Sequence, residues 1–268
     1  MMRLSAFTDE ICQPLEKALD FIETNMAPMR DLELRKVAIG GSEPKSIDAF
    51  QGQELRELKD LIEGRGFGVA SVSSKFGKYQ RDSWDDGEDW KEHQEVLERC
   101  LDVANCLNAP FTRAFGFRRI EGVSLDDCVD IIAERLGWAA DKAQDADVVL
   151  AMETEGGLYA DTGENARRIV EEVNSRYLKI NYDPGNSYNI GDIVWPHGFR
   201  AAKDHLGFMH VKSMRTEKGK KIDYYNIFRE MKEMGFDGFV SNEHHTGGGA
   251  PASLELHMDI LRVFDRIY

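Results

Sequence analysis

The sequence predicts a single-domain α/β protein folded as a (β/α)8 barrel spanning residues 1–268. Short β-like runs alternate with longer amphipathic stretches from one end of the chain to the other, and eight such runs can be counted. No GxGxxG follows the first run, so an open dinucleotide-binding sheet is the weaker alternative. Strict β-then-α alternation implies parallel strands joined by right-handed crossovers, and eight units suit closure into a barrel.

The expected strands are 2–10 (MRLSAFTDE), 29–37 (MRDLELRKV), 67–77 (FGVASVSSKFG) and 109–117 (APFTRAFGF), followed by 147–156 (DVVLAMETEG), 177–186 (YLKINYDPGN), 206–214 (LGFMHVKSM) and 238–245 (GFVSNEHH). Helices are expected between and after them at 13–24, 46–65, 88–108, 125–146, 163–174, 223–235 and 251–267, with a weaker one at 199–206. Apolar residues recur there at three- and four-residue spacing, as in Leu97, Leu101, Ala104 and Leu107. Ser124 is a candidate N-cap ahead of Leu125, and Gly235 a C-cap after Met234. No linker or composition shift divides the chain.

A length of 268 residues and a hydrophobic fraction of 42% suffice for one barrel core. No apolar stretch approaches the roughly 20 residues of a membrane span. The opening MMRLSAFTDE turns acidic before an apolar secretory segment appears, so a cytoplasmic location is expected. Cys12, Cys100, Cys106 and Cys128 form no CxxC pair and read as free thiols. The net charge of −14 disfavours nucleic acid, whose phosphates are bound largely through Lys and Arg. A small-molecule partner is expected, and a homo-oligomer is compatible with such a barrel.

The chemistry concentrates in the second half. Glu153, Asp183, His210 and Glu243 each end an apolar run, 30, 27 and 33 residues apart, about one strand-helix unit per gap. A barrel delivers the carboxyl ends of its strands to one mouth, so these four side chains should converge. Three carboxylates and one imidazole at one point repel unless a divalent cation neutralises them. The donor set is hard and oxygen-rich; Mn²⁺ is the first expectation, with Mg²⁺, Co²⁺ or Zn²⁺ as alternatives. Glu155 shares the face of Glu153, but it abuts Gly156-Gly157, where the strand must end, so Glu153 is the preferred ligand. Pro184-Gly185 ends strand six in a tight turn, placing Asn186 beside Asp183. Lys212 is in phase with His210.

Taken in order, FTDE (7–10), LELR (32–35), AMETE, DPGN, HVK and NEHH resemble the sugar isomerase/epimerase superfamily with the xylose-isomerase-like barrel, over nearly the whole chain. That group includes ketose 3-epimerases, hydroxypyruvate isomerases, inosose dehydratases and, more distantly, apurinic-site endonucleases. The resemblance implies that Glu153, Asp183, His210 and Glu243 bind one divalent cation holding two adjacent sugar oxygens. It further implies that Glu153 and Glu243 are the catalytic acid/base pair. The physical logic agrees: a proton alpha to a carbonyl is weakly acidic, so the developing enediolate needs a metal, and two carboxylates on opposite faces permit epimerisation. Return of the proton to the neighbouring carbon gives aldose–ketose isomerisation. Asn186 stands where many ketose 3-epimerases have His, and Lys212 where they have a second His, so dehydratase or lyase chemistry on a keto-sugar or cyclitol remains the alternative. An endonuclease would need several further histidines, which strands three and four lack.

Asn186, Lys212, Arg215, Arg35, His245 and Glu155 are the expected substrate contacts. Glu33 and Arg35 share the end of strand two as substrate contacts or a salt bridge. The aromatic and polar segment 75–84 reads as a sugar-covering lid or a plain loop. Phe7, Phe115 and Phe117 read as core, and His93, His205 and His257 as helix-face residues.

Overall fold

The computed structural model describes residues 2–215, 219 and 221–268. Eight parallel strands close into a barrel: β1 (Arg3–Phe7), β2 (Asp31–Leu34), β3 (Gly68–Val72), β4 (Phe111–Phe115), β5 (Val149–Glu153), β6 (Leu178–Tyr182), β7 (Leu206–Val211) and β8 (Phe239–Asn242). Each strand pairs with its sequence neighbour, and β8 returns to β1 with Arg3 opposite Phe239 and Ala6 opposite Asn242. Around the barrel run α1 (Leu15–Asn25), α2 (Gly52–Gly64), α3 (Gly87–Cys106), α4 (Val129–Asp145), α5 (Gly163–Val173), the short α6 (Phe199–Ala202), α7 (Tyr224–Glu233) and α8 (Gly249–Phe264). Their inner faces follow the sequence spacing; α5 buries Ala166, Ile169 and Val170 against the sheet.

The barrel interior changes character with height. At the N-terminal end Phe111, Phe208 and Phe239 pack edge-on or stacked with Ala70 and Ala151, and the Arg3 guanidinium covers Phe239 at 3.8 Å from its centroid. Two residues further along the same strands, the inward positions become polar. Arg113 follows Phe111, His210 follows Phe208, and Ser241 follows Phe239. All three are buried, as is Glu33. A further step brings Glu153, Asp183, Lys212 and Glu243 to the C-terminal rim.

Several local expectations change. The segment expected as one helix over 46–65 begins with a two-residue antiparallel pairing (Lys36–Val37 with Lys45–Ser46) and a 3-10 turn before α2 starts at Gly52. The helix expected from Leu125 starts at Val129, because Ser124 closes a turn with the Asp127 carboxylate instead of capping the helix. Strand six ends in a helical turn, Pro184–Asn189, where a tight turn was expected. Asp183 caps it by accepting from the Asn186 N–H at 2.9 Å, with Pro184 in the first turn. Gly235 has φ +74° beyond α7, as a C-cap requires. The four cysteines are free. Among the described residues no helix is long and apolar enough to cross a membrane.

Candidate metal centre

Strand ends deliver Glu153, Asp183, His210 and Glu243 to one buried point, where one donor atom from each lies within 4.8 Å of the others. β5 and β8 flank the β6–β7 pair, so the two glutamates enter from either side of Asp183 and His210. His210 Nδ1 lies 3.0 Å from Glu243 Oε2 and 3.5 Å from Glu153 Oε1. Its other nitrogen, Nε2, lies 3.1 Å from Glu33 Oε2 at the polar level below. Glu33 also accepts hydrogen bonds from Ser73 Oγ at 2.9 Å and Ser241 Oγ at 2.8 Å, so it is held from three sides.

Two cations meet the carboxylates. Lys212 Nζ lies 2.8 Å from Asp183 Oδ2 and 3.3 Å from both Glu153 Oε1 and Glu243 Oε2. Arg113 reaches Glu153 Oε2 at 3.1 Å and Glu243 Oε1 at 3.8 Å. Burial pushes the Glu153 carboxyl up, but Lys212, His210 and Arg113 outweigh it and hold it well below the usual carboxylate range. Glu243 is lowered to about 2: burial opposes ionisation, and Lys212 and His210 prevail. Asp183 is raised, because burial and the charges of Glu153 and Glu243 exceed the help from Lys212. His210 is raised well above 6.5, since Glu33, Glu243 and Glu153 overcome its burial.

The donor set fits a divalent ion. Asp183 Oδ2 and Glu243 Oε2 are buried and receive no well-directed hydrogen bond, although charges lie close by. Acceptors aimed at one point without directed donors suit an ion better than a hydrogen-bond network. With the Glu33 carboxylate beside Nε2, Nδ1 is the nitrogen turned toward Glu153 and Glu243, and the Asn181 amide lies 3.2 Å from it. A second group, Glu10, Glu243 and His245, also comes close enough for an ion, but the Arg35 guanidinium already bridges Glu10 at 3.1 Å and Glu243 at 3.4 Å.

A family model of xylose isomerase-like TIM barrels matches residues 19–263. The chain belongs to this family. Solved structures agree on the fold. A D-tagatose 3-epimerase-like protein superposes with TM-score 0.79 at 14% identity, covering 99% of this chain and 98% of that one. A xylose isomerase-like TIM barrel protein from Mycobacterium smegmatis in complex with magnesium gives 0.74 at 17% identity, with 98% and 96% covered. A probable 3-DHS dehydratase from Bacillus anthracis gives 0.74 at 17% identity, with 97% and 99% covered. No curated protein matches the chain by sequence.

In this xylose isomerase-like barrel the six expected substrate contacts all line one cavity of about 840 Å³ above the acidic cluster. Asn186 Nδ2 donates to Glu153 Oε1 at 3.2 Å and to the Thr154 carbonyl at 3.0 Å, while its Oδ1 accepts from Lys212 Nζ at 3.0 Å. Arg35 pairs with Asp9 at 2.9 Å and then with Glu10 and Glu243, not with Glu33, which points to the barrel axis. His245 is 60% exposed, with Nδ1 3.0 Å from Glu10 Oε1. Glu155 turns to the rim and takes Lys78 at 2.5 Å, away from the acidic cluster. Arg215 donates to the Gly219 carbonyl at 3.2 Å.

The segment 75–84 does not lay aromatics over the mouth. Phe76 is buried, Trp84 stacks on Tyr159, and Arg81 sits over Trp84 and pairs with Asp86, which Arg135 also holds. Only Lys75 and Lys78 of that segment line the cavity. His257 is buried, not on a helix surface, with Nε2 3.2 Å from the Ala27 carbonyl. Arg113 is the site residue that sequence reasoning missed, its one signal a charged residue inside the run FTRAF, and Glu33, expected beside Arg35 as a substrate contact or salt bridge, lies beneath His210 instead.

Proposed function

We propose that this chain is a divalent-metal-dependent isomerase or epimerase of a sugar or sugar derivative, with Glu153 and Glu243 as its acid/base pair. The observation that carries the proposal is the meeting of Glu153, Asp183, His210 and Glu243 at one buried point, with Glu153 and Glu243 reaching the cavity above it. The likeness to a D-tagatose 3-epimerase-like protein and to a magnesium-bound relative supports it.

A divalent ion held by Glu153, Asp183, His210 and Glu243 would supply Lewis acidity toward a substrate carbonyl, making the neighbouring C–H more acidic. The protein's own groups do the rest. Glu153 and Glu243, both held ionised at rest, approach from the β5 and β8 sides; one accepts the proton at an Oε, and the other returns a proton that it first takes from Lys212 Nζ, 3.3 Å from both, which recovers the abstracted proton afterwards. Asn186 positions Glu153 through its amide. Lys212 presents an ammonium where oxyanion charge develops, and Arg113 helps to keep Glu153 ionised from below. Mn²⁺ is the ion proposed first, and the partner is a small molecule, not nucleic acid or membrane.

One observation favours a second reading, a dehydratase or lyase on a keto-sugar or cyclitol. Lys212 Nζ lies within 3.3 Å of both glutamates, placed to protonate a departing hydroxyl after the same deprotonation. Product mass separates the two: isomerisation conserves it and dehydration loses water. The test incubates Mn²⁺-loaded protein with a panel of ketoses and analyses products by mass and chromatography. Glu153→Gln and Glu243→Gln should each lower kcat by roughly 10²–10⁴-fold. Full conversion by both variants, or by metal-stripped protein, would rule the proposal out.

A further inference from the structure

The mouth of the barrel reverses the sign of the chain. A protein of net charge −14 lines its main cavity with seven Lys and Arg residues against three glutamates. Most of these cations have evident partners. Arg35 answers Asp9 and Glu10, Lys78 answers Glu155, and Arg113 and Lys212 answer the buried acids. Lys75 and Arg118 face the same cavity with no carboxylate partner among the described residues, and Arg215 is engaged there by the carbonyl of Gly219.

The three outer cations come from three loops, after β3, β4 and β7, and two of those loops are braced. The β4 loop bridges the β5 loop at Arg118 and Leu158, with the Arg119 N–H donating to the Gly157 carbonyl at 3.0 Å. The β3 loop is anchored by buried Phe76, and Gly77 has φ +81°, with its backbone pressed so close to β4 that a Cβ would meet the Phe115 carbonyl at 2.2 Å. Lys75 and Arg118 are therefore presented from fixed backbone.

Charge counting points the same way. Four buried carboxylates, Glu33 among them, and a divalent ion leave two negative charges, which Arg113 and Lys212 balance. The outer cations add positive charge that a neutral sugar does not answer. Lys75 and Arg215 are exposed and Arg118 is half-buried, so what an anionic ligand gains is attraction by three like charges around one cleft, whose field draws it in.

We propose that the substrate is an anion: a ketose derivative carrying a terminal carboxylate or phosphate, held at the outer mouth by Lys75 and Arg118 together with Arg215. This rests on the isomerase or epimerase reading above for the ketose end, and deepens it by assigning the remote end of the substrate.

The test uses three probes that differ only at C6: D-fructose, D-fructuronate and D-fructose 6-phosphate. Their binding to the Mn²⁺-loaded protein and to a Lys75→Gln/Arg118→Gln double variant is measured by calorimetry at low and high NaCl. At least one anion should bind tenfold or more tighter than fructose, with an advantage that shrinks in salt and is lost in the double variant, while Mn²⁺ affinity stays unchanged. The anion that shows the advantage identifies carboxylate or phosphate as the terminal group. Anions that bind no tighter than fructose, that do not bind at all, or whose advantage survives in the double variant overturn the proposal. Deuterium exchange into each probe is scored separately. Anion binding through Lys75 and Arg118 without exchange keeps the anion subsite and sinks the isomerase reading, whereas exchange into fructose with no anion preference does the reverse.

Discussion

Glu33 and His210 form the deepest link of the site, with Oε2 3.1 Å from Nε2 and both side chains enclosed by the barrel. The carboxylate sets the ring's orientation, so Nδ1 faces Glu243 and Glu153. Removing the charge of a residue that orients a ligand typically costs 10–100-fold in metal affinity. Glu33→Gln should therefore weaken Mn²⁺ binding by about that factor, read by calorimetry on a variant that keeps its circular dichroism. An unchanged affinity would show that His210 needs no such support.

Asp183 links the centre to stability. An ion that binds only the folded protein raises its stability by about 2.7 kcal/mol at a concentration 100 times Kd. Melting temperature should climb with Mn²⁺ in the wild type and barely respond in Asp183→Asn. A variant that responds as fully as the wild type would place the ion elsewhere.

Lys212 serves as a counter-ion in the metal-free protein, 2.8 Å from Asp183. Replacing it with Met strips that charge from three buried carboxylates, a loss on the order of 3–5 kcal/mol for a broken buried pair. Denaturant unfolding of Lys212→Met should show this loss in chelator and recover much of it in Mn²⁺. Equal losses in both conditions would mean that the lysine is structural, not a charge that an ion can replace.

His93 should give the protein an acid sensitivity separate from the candidate metal centre. Its ring stacks on Tyr79 at 3.8 Å, and burial pushes it down from 6.5 to about 4, with Arg81 pushing the same way and Asp89 opposing. The folded value lies below the unfolded one, so the unfolded chain takes up the proton first. Stability from this group is intact above pH 6.5 and lost as pH falls towards about 4. His93→Phe, which keeps a stacking ring, should flatten the decline in melting temperature across that window. Parallel declines in the two proteins would contradict this assignment.

How much of this was legible in the sequence depended on where each residue sits along its strand. Glu153, Asp183 and Glu243 end apolar runs at the rim, and His210 ends its run one level below, where the run's stop still marks the polar part of the barrel. Glu33 and Arg113 lie inside their strands. Both faces of a parallel barrel strand are enclosed, one by helices and one by the interior, so alternation does not say which face holds the charge. The segment 75–84 misled for a related reason: aromatics near a strand end can cover a mouth or wedge under a loop, and the Arg81–Asp86–Arg135 pairing that decides between them joins residues up to 54 positions apart. Asp183 was placed correctly, but its turn was not, because a Pro-Gly pair after a capping Asp fits a tight turn and a helix start equally well.

The central claim is that two glutamates move a proton at a carbon beside a metal-held carbonyl. It is tested most directly by following ketoses by NMR in deuterated water, with Mn²⁺-loaded and metal-stripped protein. Metal-dependent deuterium incorporation alpha to the carbonyl, abolished by Glu153→Gln or Glu243→Gln, is the result this account predicts. Absence of exchange into neutral and anionic ketoses alike, in protein shown to hold its ion, would contradict it.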